Sequence, residues 1–148
     1  MPADADRFLS ALAEPGQPAA AWRALEAIAR ERVGAKLFTV MAYDDATRMA
    51  QRLHTSDPAA YPVSGRKPLP VGPWSETVVD RREPFVANTI EAIAEVFPDH
   101  ALIDSLGCRS VVNVPVVFDG AVIGTVNLLH EEGFYTPGRV RAAMELRL

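Results

Sequence analysis

The sequence has little cysteine: a single residue, Cys108, in 148. A lone thiol excludes an intrachain disulfide and any multi-thiolate metal site, and it suits a reducing, cytoplasmic compartment. Long apolar runs are also lacking. None approaches the roughly 20 residues that a bilayer-crossing helix needs, so no membrane partner is expected. An excess of basic charge is missing too: 15 Lys and Arg stand against 19 Asp and Glu, for a net charge of −4. That balance supplies no global field for nucleic acid. The first residues carry Asp4 and Asp6 instead of a basic stretch leading into an apolar one, so no secretory signal is read there. The sequence holds no Walker A loop, Rossmann glycine loop or G-x-S-x-G elbow. Its three histidines, His54, His100 and His130, stand far apart, and His130-Glu131-Glu132 follows a strand instead of lying on a helix. No metal set and no catalytic set is assigned to them.

What is present is an ordinary globule, 49% hydrophobic and 23% charged. A chain of this size removes roughly 70% of its extended surface from water on folding, enough for a core without staples. Residues 1–148 are therefore read as a single domain. Phe8, Leu9 and Leu12 share one side of a short helix over 6–13, closed by Pro15-Gly16. Trp22, Leu25, Ile28 and Ala29 recur at helical spacing over 18–33, with Gly34 as the cap. Strands follow at 36–43 and 48–55, joined by a turn at Asp44, Asp45 and Thr47. Residues 56–72 read as a loop of unusual length, which in a compact domain is functional or mobile. Pro73 and Ser75 open a short helix, 85–88 is a short strand, and 90–97 and 99–106 are short helices broken at Pro98. Two apolar strands, 110–118 and 121–129, flank Asp119-Gly120, a strong hairpin signal. A last helix, capped by Thr136 and begun by Pro137, is expected to reach Leu148. It is still well patterned where the chain stops, so a longer natural protein is expected. The fold class is α+β: a central antiparallel sheet, terminal helices on one face, and short helices and loops over the other.

The segment GCRSVVNVPVVFDGAVIGTVNLLH, residues 107–130, resembles the GAF domain family, a group of small-molecule sensor domains with a PAS-like fold. PFVANT, residues 84–89, resembles the family's short third strand, and the likeness runs from about Ala20 to Met144. The resemblance implies a ligand pocket on one sheet face, a sensory or regulatory role, and dimers that pass signals through terminal helices. Some subfamily roles are not matched by the residues. Bilin-binding members commonly carry His after the attachment Cys, whereas Arg109 follows Cys108 here. The cyclic-nucleotide pattern begins Asn-Lys, whereas Thr89 follows Asn88. The free methionine sulfoxide reductases, similar in fold, need several cysteines to close their cycle. The ligand and any cofactor stay unidentified.

Alternation sorts the candidate site residues. Ile123, Thr125, Asn127 and Leu129 share one face of the last strand, and Val111, Asn113 and Pro115 share one face of its partner. Thr39, Met41 and Tyr43 fall on one alternation of the first strand. Asn113, Thr125 and Asn127 are polar exceptions in apolar strands and require partners. They either line a pocket or tie down loop backbone. Asn127 is expected to face a cavity beneath the Tyr61–Trp74 segment. Tyr61 and Trp74 can wall that cavity, or Trp74 can pin the lid, and His54 can reach it from the second strand. Arg109 is read as an anion contact or a solvated guanidinium. Cys108 is read as a small buried hydrophobe or, with an activating neighbour, a nucleophile.

Three readings remain. The first is a small-molecule-binding sensory or regulatory domain. The second is an enzyme of small metabolites on the same scaffold, using Cys108 or a His and carboxylate group. The third is a structural or dimerisation module without ligand. A homodimer is expected through terminal helices carrying Phe8, Leu9, Leu12, Met144 and Leu148.

Overall fold

The structure, a computed structural model, describes residues 2–44, 46–63 and 66–146. The expected parts of Asp45 in the first turn and of Leu148 at the last helix lie outside the described residues. Two helices open the chain, α1 (Pro2–Leu12) and α2 (Ala19–Arg32). They are joined by charge: Arg32 grips buried Asp4 with Nε and Nη2 at 2.9 and 3.0 Å, and Arg7 reaches Glu31 at 2.7 Å. Strands β1 (Leu37–Asp44) and β2 (Met49–Thr55) then form the expected hairpin. After β2, the stretch read as loop contains a three-residue edge strand, β3 (Arg66–Pro68). A short α3 (Pro73–Ser75) runs directly into one π-helical turn, Glu76–Asp80. Strand β4 (Phe85–Ala87) and helices α4 (Ile90–Ala94) and α5 (His100–Ser105) complete the connection.

The long hairpin β5 (Ser110–Phe118) and β6 (Ala121–His130) follows. Asp119 and Gly120 both take positive φ, 51° and 79°, as a type I′ turn requires. Helix α6 (Pro137–Met144) closes the fold with Thr136 accepting from the Arg139 N–H, and it ends short of the expected position. The six strands are antiparallel in the order β3-β2-β1-β6-β5-β4, so β1 and β6, distant in sequence, are central neighbours.

The two sheet faces differ. Phe38, Val40, Val112, Val114, Val126 and Leu128 pack against Leu25, Ile28 and Ala29 of α2 and Ala143 of α6 in a dry core, with Trp22 and Val140 at its margin. The opposite face carries Leu37, Val111 and Leu129, covered by Tyr61, Ile93 and Ile103 from the connecting segments. Gly124 shows why β1 and β6 sit so close. A Cβ built there would lie 2.1 Å from the Met41 carbonyl oxygen, so only glycine fits without moving the neighbouring strand. Gly124→Ala is expected to lower stability by roughly 1–3 kcal/mol through overpacking, read as a fall in the urea midpoint with an unchanged m-value. An unchanged midpoint would contradict this account.

Candidate functional site

The face opposite the terminal helices holds a cavity of about 200 Å³. Its floor is built by alternation. Leu37, Thr39, Met41 and Tyr43 of β1 line it, as do Thr125, Asn127 and Leu129 of β6 and Val111 and Asn113 of β5. Pairing sets Thr39 beside Asn127 and Asn127 beside Asn113, so one row of polar groups crosses three strands. These side chains bond in sequence. Trp74 Nε1 donates to Asn113 Oδ1 at 2.9 Å, Asn113 Nδ2 to Asn127 Oδ1 at 2.7 Å, and Asn127 Nδ2 to Thr39 Oγ1 at 3.1 Å. Each amide carries two N–H groups and two acceptor sites, so capacity for further bonds remains on both. Tyr43 and Thr125 hydroxyls form a second pair at 3.0 Å, and burial raises the Tyr43 phenol well above its ordinary value.

The roof is aromatic. Trp74 meets Tyr43 and Phe97 edge-on, with centroids 6.0 and 6.5 Å apart, and Phe97 meets Phe85 at 6.0 Å. The Ser75 hydroxyl donates to the Pro70 carbonyl and so ties the start of this helix to the preceding loop. Tyr61 donates to Asp99 at 2.6 Å, joining the loop after β2 to the turn before α5. Burial first, and then the bond and charge of Asp99, drive the Tyr61 phenol strongly upward. It is a neutral hydroxyl donor at any physiological pH.

Charge is concentrated at one side. Arg52 of β2 lines the cavity with its guanidinium 4.8 Å from the Tyr61 ring centre, and its Nη1 donates to the Pro62 carbonyl at 3.1 Å. Its Nε is closed off from solvent and has no hydrogen-bond partner. Burial of the guanidinium depresses its pKa from the ordinary arginine value. Lys67 of β3 and Asp99 are the other charged lining residues.

Six of the nine candidate residues thus meet at one cavity: Asn127, Asn113, Thr125, Tyr43, Tyr61 and Trp74. The other three do not. His54 lies on the helix-covered face, bonded through Nε2 to Glu26 at 2.8 Å and edge-on to Phe38. The cause is a bulge in the β1–β2 pairing. Val40 opposes His54 while Met41 opposes Arg52, so Leu53 is skipped and the alternation reverses phase. Arg109 is spent on an exposed pair with Asp104 at 2.9 Å. Cys108 is fully buried against Tyr61, Ile103 and Val111, and burial raises its thiol above the ordinary value. Neither is among the residues that line the cavity, and a raised thiol is the wrong state for a nucleophile.

Sequence reasoning passed over Arg52, Phe97 and Asp99. Arg52 was legible, because it alternates with Ala50 on a short strand. Phe97 and Asp99 come from irregular backbone whose position only the folded chain defines. Among the described residues, no group of three His, Cys, Asp or Glu side chains is gathered as a metal site needs, and no helix is long and apolar enough to cross a membrane.

Asn127 is where the structure sharpens the sequence reading. Its amide does line the cavity, and it also holds both neighbours in the row. Asn127→Leu leaves an Asn113 N–H and the Thr39 hydroxyl unpaired, and is expected to cost about 1–3 kcal/mol in the ligand-free protein. Chemical denaturation of the two proteins measures it. An equal stability would mean that the row carries no structural weight.

A family model described as GAF domain matches residues 17–146. No functionally curated protein matches the sequence. Among solved structures, the GAF domain/HD domain protein from Geobacter sulfurreducens is similar with a TM-score of 0.69 at 14% identity, covering 85% of this chain and 84% of that one. A domain of a two-component sensor histidine kinase protein from Sinorhizobium meliloti gives 0.65 at 14% identity, over 89% and 87% of the two chains. The chromophore-binding domain of a bacteriophytochrome from R. palustris gives 0.67 at 12% identity, over 99% of this chain and 57% of that one. At these identities the likeness is one of fold.

Proposed function

The chain belongs to the GAF domain family, and on that footing we propose that it is a sensory or regulatory module that binds a small molecule in the cavity between its sheet and the Tyr61–Trp74 segment. The observation that carries this reading is the construction of the cavity: apolar walls, an aromatic roof, and a few convergent polar groups in fixed positions. That is the usual composition of a small-molecule site. Asn113 and Asn127 offer the ligand their remaining donor and acceptor sites, Thr39 and Thr125 flank them, and Trp74, Tyr43 and Tyr61 supply the walls. The context of the similar structures, a sensor kinase and a phytochrome among them, supports a regulatory use. We read the chain as one module working in the cytoplasm, where its single thiol stays reduced. The buried Cys108, held as an unreactive thiol, favours binding over catalysis.

The test is native mass spectrometry of the purified protein, with thermal melts against a metabolite library. A ligand at a hundred times its Kd adds about 2.7 kcal/mol to stability, a rise in Tm of several degrees for a domain of this size. Ala50→Phe, which fills the cavity wall from β2, is expected to abolish the rise while preserving the circular dichroism of the sheet. No retained molecule and no shift across the library would defeat the reading.

The module is further proposed to act as a homodimer through its terminal helices. Leu9 and Leu12, 60% and 46% exposed on α1, support this. Phe8 and Met144 contribute less than the sequence suggested, because they pack partly into the chain's own core. Leu9→Glu combined with Leu12→Glu is expected to turn a dimer into a monomer in sedimentation velocity at tens of micromolar. A wild-type protein that sediments as a monomer there would refute the pairing.

A further inference from the structure

We propose that the cavity selects organic monoanions: a small carboxylate with an aromatic or branched aliphatic body, its charge held by Arg52 with Lys67 at the rim and its body between Trp74, Phe97 and Leu69. The inference rests on the ligand-binding reading above and adds the chemical class to it.

Three observations lead there. First, Arg52 has no anion in contact with it; Asp99 acts on it only through space. Among the described residues it makes no ion pair. Its one hydrogen bond goes to a backbone carbonyl through Nη1, and its Nε is buried with no acceptor. The guanidinium is half-buried, and an Nε–H closed off without an acceptor is a cost that a bound anion relieves. Second, the protein does not satisfy Arg52 from its own carboxylate nearby. Asp99 lines the same cavity, but it takes the Tyr61 hydroxyl at 2.6 Å and stands outside ion-pair distance of the guanidinium. Of the charged lining residues, Arg52 and Lys67 outnumber Asp99 by one positive charge, which matches one carboxylate and not a multiply charged phosphate ester. Third, the edge of the guanidinium left over is the one suited to a carboxylate. Nη1 is occupied by Pro62, and Nε with Nη2 forms the two-pronged edge that pairs with both oxygens of a carboxylate. The chain uses that same edge elsewhere: Arg32 holds Asp4 with Nε and Nη2 at 2.9 and 3.0 Å. To present this edge to a ligand, Arg52 has to turn off the Tyr61 ring that it now covers.

The remainder of the cavity fixes the other end of the molecule. Leu69 is buried beside Met41 and Ala50, and Trp74 and Phe97 close the roof. An amine would meet Arg52 and Lys67 with like charge. A neutral amide of the same shape would keep the apolar contacts and the bonds to Asn113 and Asn127, but would give Arg52 one acceptor in place of two and no countercharge. Discrimination between carboxylate and amide is therefore the measurable signature.

The probes are 3-phenylpropionate and 4-methylpentanoate, each with its primary amide, titrated into the full chain labelled with nitrogen-15. The Trp74 indole and the Asn113 and Asn127 side-chain amides report occupation of the cavity, and the Arg52 Nε–H reports the charge contact. Carboxylates are expected to bind at least tenfold more tightly than their amides and to move the Arg52 Nε–H signal. Arg52→Met and Arg52→Gln are expected to abolish the preference, leaving each carboxylate and its amide within about twofold of one another. If the amides bind as tightly as the acids, or the preference persists in both variants, the class is wrong while cavity binding stands. If no probe of either charge moves the Trp74, Asn113 or Asn127 signals, the inference falls, and the ligand-binding reading is decided separately by the metabolite library.

Discussion

The floor of the cavity depends on one constraint: β5, β6 and β1 must pair in the register that sets Asn113, Asn127 and Thr39 side by side. Two amides and a hydroxyl bond across three strands only if they occupy the same row. A slip of one residue would turn all three towards the helices and bring Val112, Val126 and Phe38 into the cavity. Several local features defend the register. The Asp119-Gly120 turn and the bulge that skips Ile123 together set β5 against β6. Gly124 allows β1 to close on β6 where any larger residue would strike the Met41 carbonyl. The polar row itself adds a further penalty for misalignment, because unpaired amides in a buried row are costly.

A sheet with one dry face and one hollow face follows from how each face is covered. Helices α2 and α6 present continuous apolar stripes and interdigitate with Phe38, Val114, Val126 and Leu128. The other face is spanned by short helices and irregular backbone, whose stiffness comes from a few anchors instead of from helix packing. Tyr61 is fastened to Asp99, Trp74 to Asn113, and Ser75 to Pro70. A roof suspended from such points need not collapse onto the sheet. The π-helical turn directly after Trp74 is consistent with this, since such turns widen a helix locally and occur often near functional sites.

Much of this was legible in the sequence, because the strands that matter alternate cleanly. Reading every second residue of 111–115, 125–129 and 39–43 identifies the polar row and the face it occupies. The hairpin turn, the helix caps at Gly34 and Thr136, and the division into two faces follow from the same local rules. The failures have definite causes. Strand β3 is three residues long, contains Pro68, and lies in a segment rich in Gly and Pro, so nothing in its pattern resembles a strand. The bulge at Leu53 adds one residue to β2 without any proline or glycine to mark it, and it carries His54 to the wrong face. Arg52 was passed over although its alternation with Ala50 places both on one face. Phe97 and Asp99 reach the cavity only through the tertiary path of the connection. Periodicity describes regular elements well, and half of this cavity is built from irregular ones.

Period-two alternation also fixes how near the cavity lies to the helices. Asn127 faces the cavity, and its chain neighbours Val126 and Leu128 face the core shared with α2 and α6. Asn113 stands in the same relation to Val112 and Val114. The two faces are thus separated by a single residue of backbone and not by a chain of intermediates. Interiors packed at crystal-like density transmit small displacements instead of absorbing them. Val112, Val114, Val126 and Leu128 share one buried cluster with Leu25, Ile28 and Ala143. The same alternation that makes the site readable from sequence therefore places it one residue away from the core beneath the terminal helices, and it does so without any feature beyond an ordinary two-faced sheet.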